Sequence, residues 1–152
     1  MVIRSRAPLR LGFAGGGTDV SPYCDLHGGA ILNATIDLYA TAVLRVRDDG
    51  RAGFHATDRD SHFEGPMQAE FPLVEPLVLH KAVYNHIVRE FNGGKPIPVE
   101  LTTYSDAPAG SGLGASSTLC VSMVQAFTEL LQLPLGLHDI ARAAFQIERV
   151  EL

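Results

Sequence analysis

Apolar residues recur at every fourth place over residues 77–91, where Leu79, Val83, Ile87 and Phe91 form one stripe. This spacing predicts an amphipathic helix that stops before Gly93 and Gly94. The helical rhythm returns over residues 115–131 with Leu119, Met123, Phe127 and Leu130. It returns again over 137–152, with Asp139 in the first turn and Ala141, Ala144 and Ile147 on one face. Elsewhere the chain reads as strand. Residues 2–14 alternate weakly and run into glycines. Residues 30–47 are rich in β-branched and aromatic residues and predict one long strand or two consecutive ones. Residues 97–103 alternate, with Pro98 favouring an edge or entry position. Residues 19–27 predict a short irregular or helical piece ended by Gly28 and Gly29, and residues 50–75 offer only short strand candidates among Gly, Asp and Pro. The order β, short α, β, β, α, β, α, α is mixed α/β, without internal repeats. The last helix runs to Glu151 and Leu152 with no glycine cap or polar tail, so the expectation is a chain cut from a longer one.

Composition narrows the class. A chain of 152 residues with 46% hydrophobic and 19% charged positions builds one domain with a full core. A net charge of -5 argues against a non-specific nucleic-acid binder, which needs a basic stripe. No apolar run approaches the roughly 18 residues of a membrane span. Arg4, Arg6 and Arg10 break the N-terminal apolar stretch, so no secretory signal is expected. Cys24 and Cys120 are far apart, which predicts reduced thiols and a cytoplasmic setting.

The candidate chemistry lies in two glycine clusters. Residues 106–118, DAPAGSGLGASST, follow a predicted strand and open a predicted helix. Pro108 stiffens the entry, and Gly110, Gly112 and Gly114 leave no side chain between backbone amides and a ligand. The helix start adds free N–H groups and a dipole worth about 0.3–1 kcal/mol per exposed charge. Ser111, Ser116 and Ser117 add hydroxyls, so the loop suits a phosphate and its first helical serines suit Mg²⁺. The plainer reading is a loop that only caps a helix. Other phosphate loops do not fit: the sole Gly-Lys pair, Gly94-Lys95, precedes Pro96, and Ala115 occupies the last position of G-x-G-x-x-G. The six histidines are scattered and read as surface or capping residues. The second cluster, residues 8–19, PLRLGFAGGGTD, carries the cation Arg10 and the acceptor Asp19, suited to sugar hydroxyls. A surface arginine and an N-cap aspartate are the plainer readings. Glu148 is a further candidate, with a solvated helix acid as its plain reading.

Together these residues resemble the GHMP kinases, the family of galactokinase, homoserine kinase, mevalonate kinase and phosphomevalonate kinase. Residues 8–19 resemble the family's first motif, residues 108–117 its second (P-x-G-x-G-L-G-S-S), and residues 145–149, FQIER, the helix that carries its magnesium-binding glutamate. The resemblance spans the chain. It implies that residues 1–152 form an N-terminal ATP-binding domain of α+β type. Its sheet would be mostly antiparallel and mixed, with helices packed on it, like domain 2 of ribosomal protein S5.

The resemblance also implies roles. Pro108, Ala109, Gly110, Ser111, Gly112, Leu113, Gly114, Ala115, Ser116 and Ser117 would hold ATP. Ser116 and Glu148 would hold Mg²⁺, Arg10 would act catalytically near the transferred phosphoryl group, and Gly16, Gly17, Thr18 and Asp19 would bind the sugar. Ala115 departs from the family's usual serine. Residues 14–37 look most like the sugar-1-kinase branch, and within it like kinases of D-glycero-D-manno-heptose 7-phosphate. The implied reaction is phosphorylation of that sugar's anomeric hydroxyl, toward nucleotide-activated heptose for capsule or lipopolysaccharide. Galactokinases carry G-E-H-T-D where this chain has Gly15-Gly16-Gly17-Thr18-Asp19, which argues against galactose. The family's catalytic aspartate and C-terminal domain would lie beyond Leu152, leaving this half inactive alone. The implied partners are ATP and a sugar or sugar phosphate, with no nucleic acid or membrane and with a homodimer left open. Alternatives are a fucose- or arabinose-type kinase, a non-catalytic sugar- and ATP-binding relative, and a serine amide hydrolase, although no lysine lies near either motif.

Overall fold

A computed structural model describes all of residues 1–152. The strands are β1 (Val2–Ala14), β2 (Leu32–Val46), β3 (Arg51–Ala56), β4 (Ser61–Pro66) and β5 (Val99–Ser105). The helices are α1 (Tyr23–His27), α2 (Val78–Phe91), α3 (Ala115–Leu131) and α4 (Leu137–Gln146). A 3-10 turn (Thr57–Arg59) joins β3 to β4, and a π turn (Ile147–Glu151) follows α4. The sheet order is β1-β2-β5-β3-β4. β1/β2, β2/β5 and β3/β4 pair antiparallel and only β3/β5 runs parallel. This is the mostly antiparallel mixed sheet expected from the resemblance.

Alternation places one face of each strand in the core. Ser5, Ala7 and Leu9 of β1, Ala40, Ala42 and Leu44 of β2, and Leu101 of β5 are buried, while Arg4, Arg6 and Arg45 stand on the open face. The small alanines let α3 lie close against β1 and β2, where Leu119, Met123 and Phe127 fill the layer between. α2 and α4 flank α3. Phe54, Phe71 and Tyr84 interlock at ring-centroid separations of 5.5, 5.6 and 5.1 Å, joining β3 to α2. On the open face, hydrogen bonds from Arg51 and Arg47 at 3.0 and 2.8 Å hold the Glu64 carboxyl below its ordinary range and tie β3 to β4.

The structure decides between several alternatives and corrects others in detail. Residues 30–47 make a single long strand, and the unreadable residues 50–75 contain the β3–β4 hairpin. α2 is buried well beyond its four-spaced stripe, because the segment before it folds back over the helix. Asn85 exchanges two hydrogen bonds of 2.8 Å with the Phe71 backbone, and Lys81 donates to the Val74 carbonyl at 2.6 Å. Long-range wrapping of this kind leaves no periodic signature. In the last helix the buried face is Ile140, Ala143, Ala144 and Ile147, and Ala141 is exposed. Pro98 occupies an entry position, since β5 starts at Val99 in the middle of the sheet.

His80 of α2 is almost fully buried; its Nε2 meets the Thr103 hydroxyl at 2.8 Å and its Nδ1 has no partner. Burial, then the charges of Arg59 and His55, lower its pKa from 6.5 to about 4. The unfolded chain therefore binds a proton first as pH falls, so stability is intact above about 6.5 and declines between about 6.5 and 4. His80→Gln is expected to flatten that part of a stability–pH profile measured by thermal unfolding. An unchanged slope would show that His80 does not carry the linkage.

Candidate functional site

β5 delivers the glycine loop through a fixed exit. The Asp106 carboxylate accepts the Tyr39 N–H at 2.8 Å, and the Asp106 N–H donates to the Tyr39 carbonyl at 2.9 Å. The Arg6 guanidinium stacks 3.6 Å from the Tyr39 ring centroid on the same edge. Beyond this anchor, Pro108, Ala109, Gly110, Ser111 and Gly112 are exposed, with one internal turn from the Ser111 N–H to the Pro108 carbonyl at 3.2 Å. α3 then starts on Gly114, which has φ +72°. Its first helical hydrogen bond runs from the Thr118 N–H to the Gly114 carbonyl at 3.1 Å, and no side chain caps the end. The N–H groups of Ala115, Ser116 and Ser117 are therefore left for an outside acceptor. Free N–H groups at an uncapped helix start are able to bind an anion.

The first motif meets the second at this point. The Arg10 N–H donates to the Leu113 carbonyl at 3.1 Å. The Arg10 guanidinium lies so close to Gly114 that a Cβ there would overlap it. Glycine at 114 is favoured by its left-handed φ, and any side chain there would push the Arg10 guanidinium aside.

The adjoining glycine turn is stitched by Thr18. The Thr18 N–H and hydroxyl both reach the Gly15 carbonyl, at 3.0 and 2.7 Å. The hydroxyl also lies 3.1 Å from the Ala30 carbonyl and accepts the Ala30 N–H at 3.2 Å. Thr18 therefore spends its polar capacity on the turn, while Gly16, Gly17 and Asp19 remain exposed.

The π turn completes the site. The Ser116 hydroxyl donates to Glu148 Oε1 at 2.8 Å, across 32 residues of sequence. Arg10, Asp19, Ser117, Phe145, Glu148 and Arg149 line one cavity of about 190 Å³. Charged side chains of residues 8–19 and of the last turn thus face one space, beside Ser117 of the glycine loop's helix. Behind it, Cys120 is buried under α4; burial first, then the charges of Glu148 and Glu151, push its thiol pKa up, so it stays protonated and inert. On the other side of Ser116 lies a second cavity of about 340 Å³, with Ala56, Leu77, Leu79 and Leu119 as apolar walls and Asp58, Arg59 and His80 as polar ones. Sequence reading missed this cavity because half of its wall comes from the weakly patterned residues 50–77. It also missed the anchoring role of Asp106, although that residue heads the glycine loop.

Comparisons with known proteins agree with this geometry. Residues 78–151 match the family model described as "GHMP kinases N terminal domain". The chain is 48% identical over 150 residues to D-glycero-alpha-D-manno-heptose 7-phosphate kinase of Campylobacter jejuni, covering 99% of this chain and 44% of that protein. The crystal structure of a D-glycero-D-manno-heptose 1-phosphate kinase from Bacteroides thetaiotaomicron superposes with TM-score 0.92 at 47% identity, over 99% of this chain and 49% of that one. Mevalonate kinase of Methanococcus jannaschii shares the fold, with TM-score 0.79 at 14% identity, over 98% of this chain and 46% of that one. The chain therefore spans about half the length of the relatives it matches.

Gly114→Ala is expected to lower stability by about 1–2 kcal/mol, from the left-handed φ. Gly16→Ala is the control, since its φ is ordinary and a Cβ there meets nothing within 4 Å. Denaturant titration of both variants checks this; equal midpoints would show that the backbone at 114 tolerates a side chain.

Proposed function

The chain carries the N-terminal domain of the GHMP kinases, and from that premise we propose that the intact protein is an ATP-dependent sugar kinase. Its reaction is phosphorylation of the anomeric hydroxyl of D-glycero-D-manno-heptose 7-phosphate. The observation that carries this reading is one cavity lined by Arg10, Asp19, Ser117 and Glu148, with Ser116 bonded to Glu148 at its edge. The names of the two close relatives agree on a heptose and differ in the phosphate position, 7 in one and 1 in the other. A kinase that takes the 7-phosphate and adds a phosphate at C1 accommodates both names.

Phosphoryl transfer asks the protein for position and for charge neutralisation. The free N–H groups of Ala115, Ser116 and Ser117, with the exposed loop from Pro108 to Gly112, receive the phosphate oxygens of ATP. The second cavity, apolar along Leu77, Leu79 and Leu119, takes the base. Arg10, beside Gly114, holds a positive charge where the transferred group leaves the loop. Asp19 accepts hydroxyls of the sugar, Gly16 and Gly17 let it approach the backbone, and Thr18 keeps that turn in shape. Arg149 supplies a second cation in the cavity, appropriate to a sugar that already bears a phosphate.

Ser116 and Glu148 fit Mg²⁺: both present oxygen, and their 2.8 Å contact brings a hydroxyl and a carboxylate together at an exposed edge. When bound, Mg²⁺ neutralises phosphate charge. The remainder of the intact protein closes the cavity and brings the aspartate that takes the hydroxyl proton. Phe145 stands exposed in the cavity wall it would cover. Such a reaction belongs in the cytoplasm, where ATP is available, ahead of nucleotide activation of the heptose for capsule or lipopolysaccharide.

Purified intact protein, offered a panel of sugars and sugar phosphates with ADP release followed, is expected to turn over heptose 7-phosphate best. Preference for fucose or for unphosphorylated sugars would move it to another sugar-1-kinase, and no turnover on any sugar would leave a binding protein. Ser116→Ala is expected to lower kcat about 100-fold. Asp19→Ala is expected to raise the KM for sugar while that for ATP stays put; equal rises would make Asp19 a structural cap.

A further inference from the structure

The turn that carries Glu148 is held from two sides. Ile147–Glu151 is a single π turn, closed by a bond from the Leu152 N–H to the Ile147 carbonyl at 3.2 Å. Ile147 is fully buried and pins the start of the turn to the core. Glu148 then reaches α3 through Ser116. Three residues later, Glu151 reaches the opposite neighbour, α2. Its Oε1 accepts from His86 Nδ1 at 2.8 Å and from Arg89 Nη2 at 2.7 Å. A carboxylate can only accept, so His86 donates from Nδ1. His86 is buried and the Glu151 side chain is 17% exposed, while Arg89 reaches Glu151 from the surface, and all three line an open cavity of about 440 Å³. Neither His86, Arg89 nor Glu151 lines the cavity that holds Arg10, Asp19 and Glu148.

A π turn is wider than an α turn and is not self-supporting over one turn, so its rotation depends on outside bonds. The two glutamates fix it in opposite directions, one toward α3 and one toward α2. We infer that Glu151, clamped by His86 and Arg89, is a positioning residue that sets the rotation of the turn and so holds the Glu148 carboxylate at Ser116. The inference rests on the kinase reading and deepens it, since it concerns how the cation site is organised before nucleotide arrives. The clamp acts through Glu148 and touches neither nucleotide nor sugar.

The test uses the intact protein, with Mn²⁺ as the metal probe and ADP as the nucleotide, followed by calorimetric titration. Wild type is expected to bind ADP more tightly with Mn²⁺ than without it. In Glu151→Gln and in Arg89→Ala, metal-free ADP affinity is expected to stay at the wild-type value, while the gain from Mn²⁺ shrinks about tenfold. Arg89→Lys, which keeps the cation, is expected to recover most of that gain. Arg89 lies on the surface, so its variants read the clamp even where Glu151→Gln does not fold. Variants with the full wild-type gain from Mn²⁺, or with metal-free binding lost in equal measure, overturn the clamp and leave the kinase reading standing. A wild-type protein whose ADP affinity ignores Mn²⁺ overturns the cation site itself, and the clamp with it.

Discussion

The hydrogen bond from the Arg10 amide to the Leu113 carbonyl is the constraint on which the site depends. It joins an edge strand to the loop before α3, two parts of the chain about a hundred residues apart. The side chain of the same residue lies against Gly114. The loop is then supported from below by β1 and from its entry by the Asp106–Tyr39 pair. Its outer amides need no protein partner and remain open, which is a cost in an isolated domain and an advantage for a phosphate ligand.

The charge distribution follows the same logic. The chain is acidic overall, yet Arg10 and Arg149 are the cations retained around the cavity. Asp19 and Glu148 in the same cavity balance these two arginines, which leaves the free N–H groups at the start of α3 as its uncompensated positive end, while charges elsewhere on the surface are screened within about 8–10 Å. The many other arginines are spent elsewhere: Arg45, Arg47 and Arg51 pair with Glu100, Asp49 and Glu64 on the open face of the sheet.

Much of the fold was legible. The helices at 78–91 and 115–131 and the strands at 2–14 and 99–105 emerge within a residue or two of their expected bounds, because the helices carry a strong apolar period and a glycine or proline stands close to one end of each element. The β3–β4 hairpin was not legible, since its residues Arg51–Pro66 carry little alternation and only one glycine near each end of its inward face, Gly53 and Gly65. The full burial of α2 escaped for a different reason. His80, Lys81, Asn85 and His86 are polar, and polar residues enter a core only where distant partners meet them. Ala141 was misplaced because alanine carries too weak an apolar signal to define a helix face; Ile140, one residue earlier, defines it.

Glycine spacing marks residues 110–114 as a turn at a helix start from residue order alone, because backbone conformations at φ > 0 restrict which residues can stand there. The joining of Ser116 to Glu148 and the seating of Arg10 on Gly114 could not be read that way. The same holds for the reach of Glu151 back to His86 and Arg89. These contacts span 32, 104 and up to 65 residues of chain. They exist because the sheet order and the packing of α2 and α4 on α3 bring those side chains within a few ångströms, and local patterning contains no term for such distances.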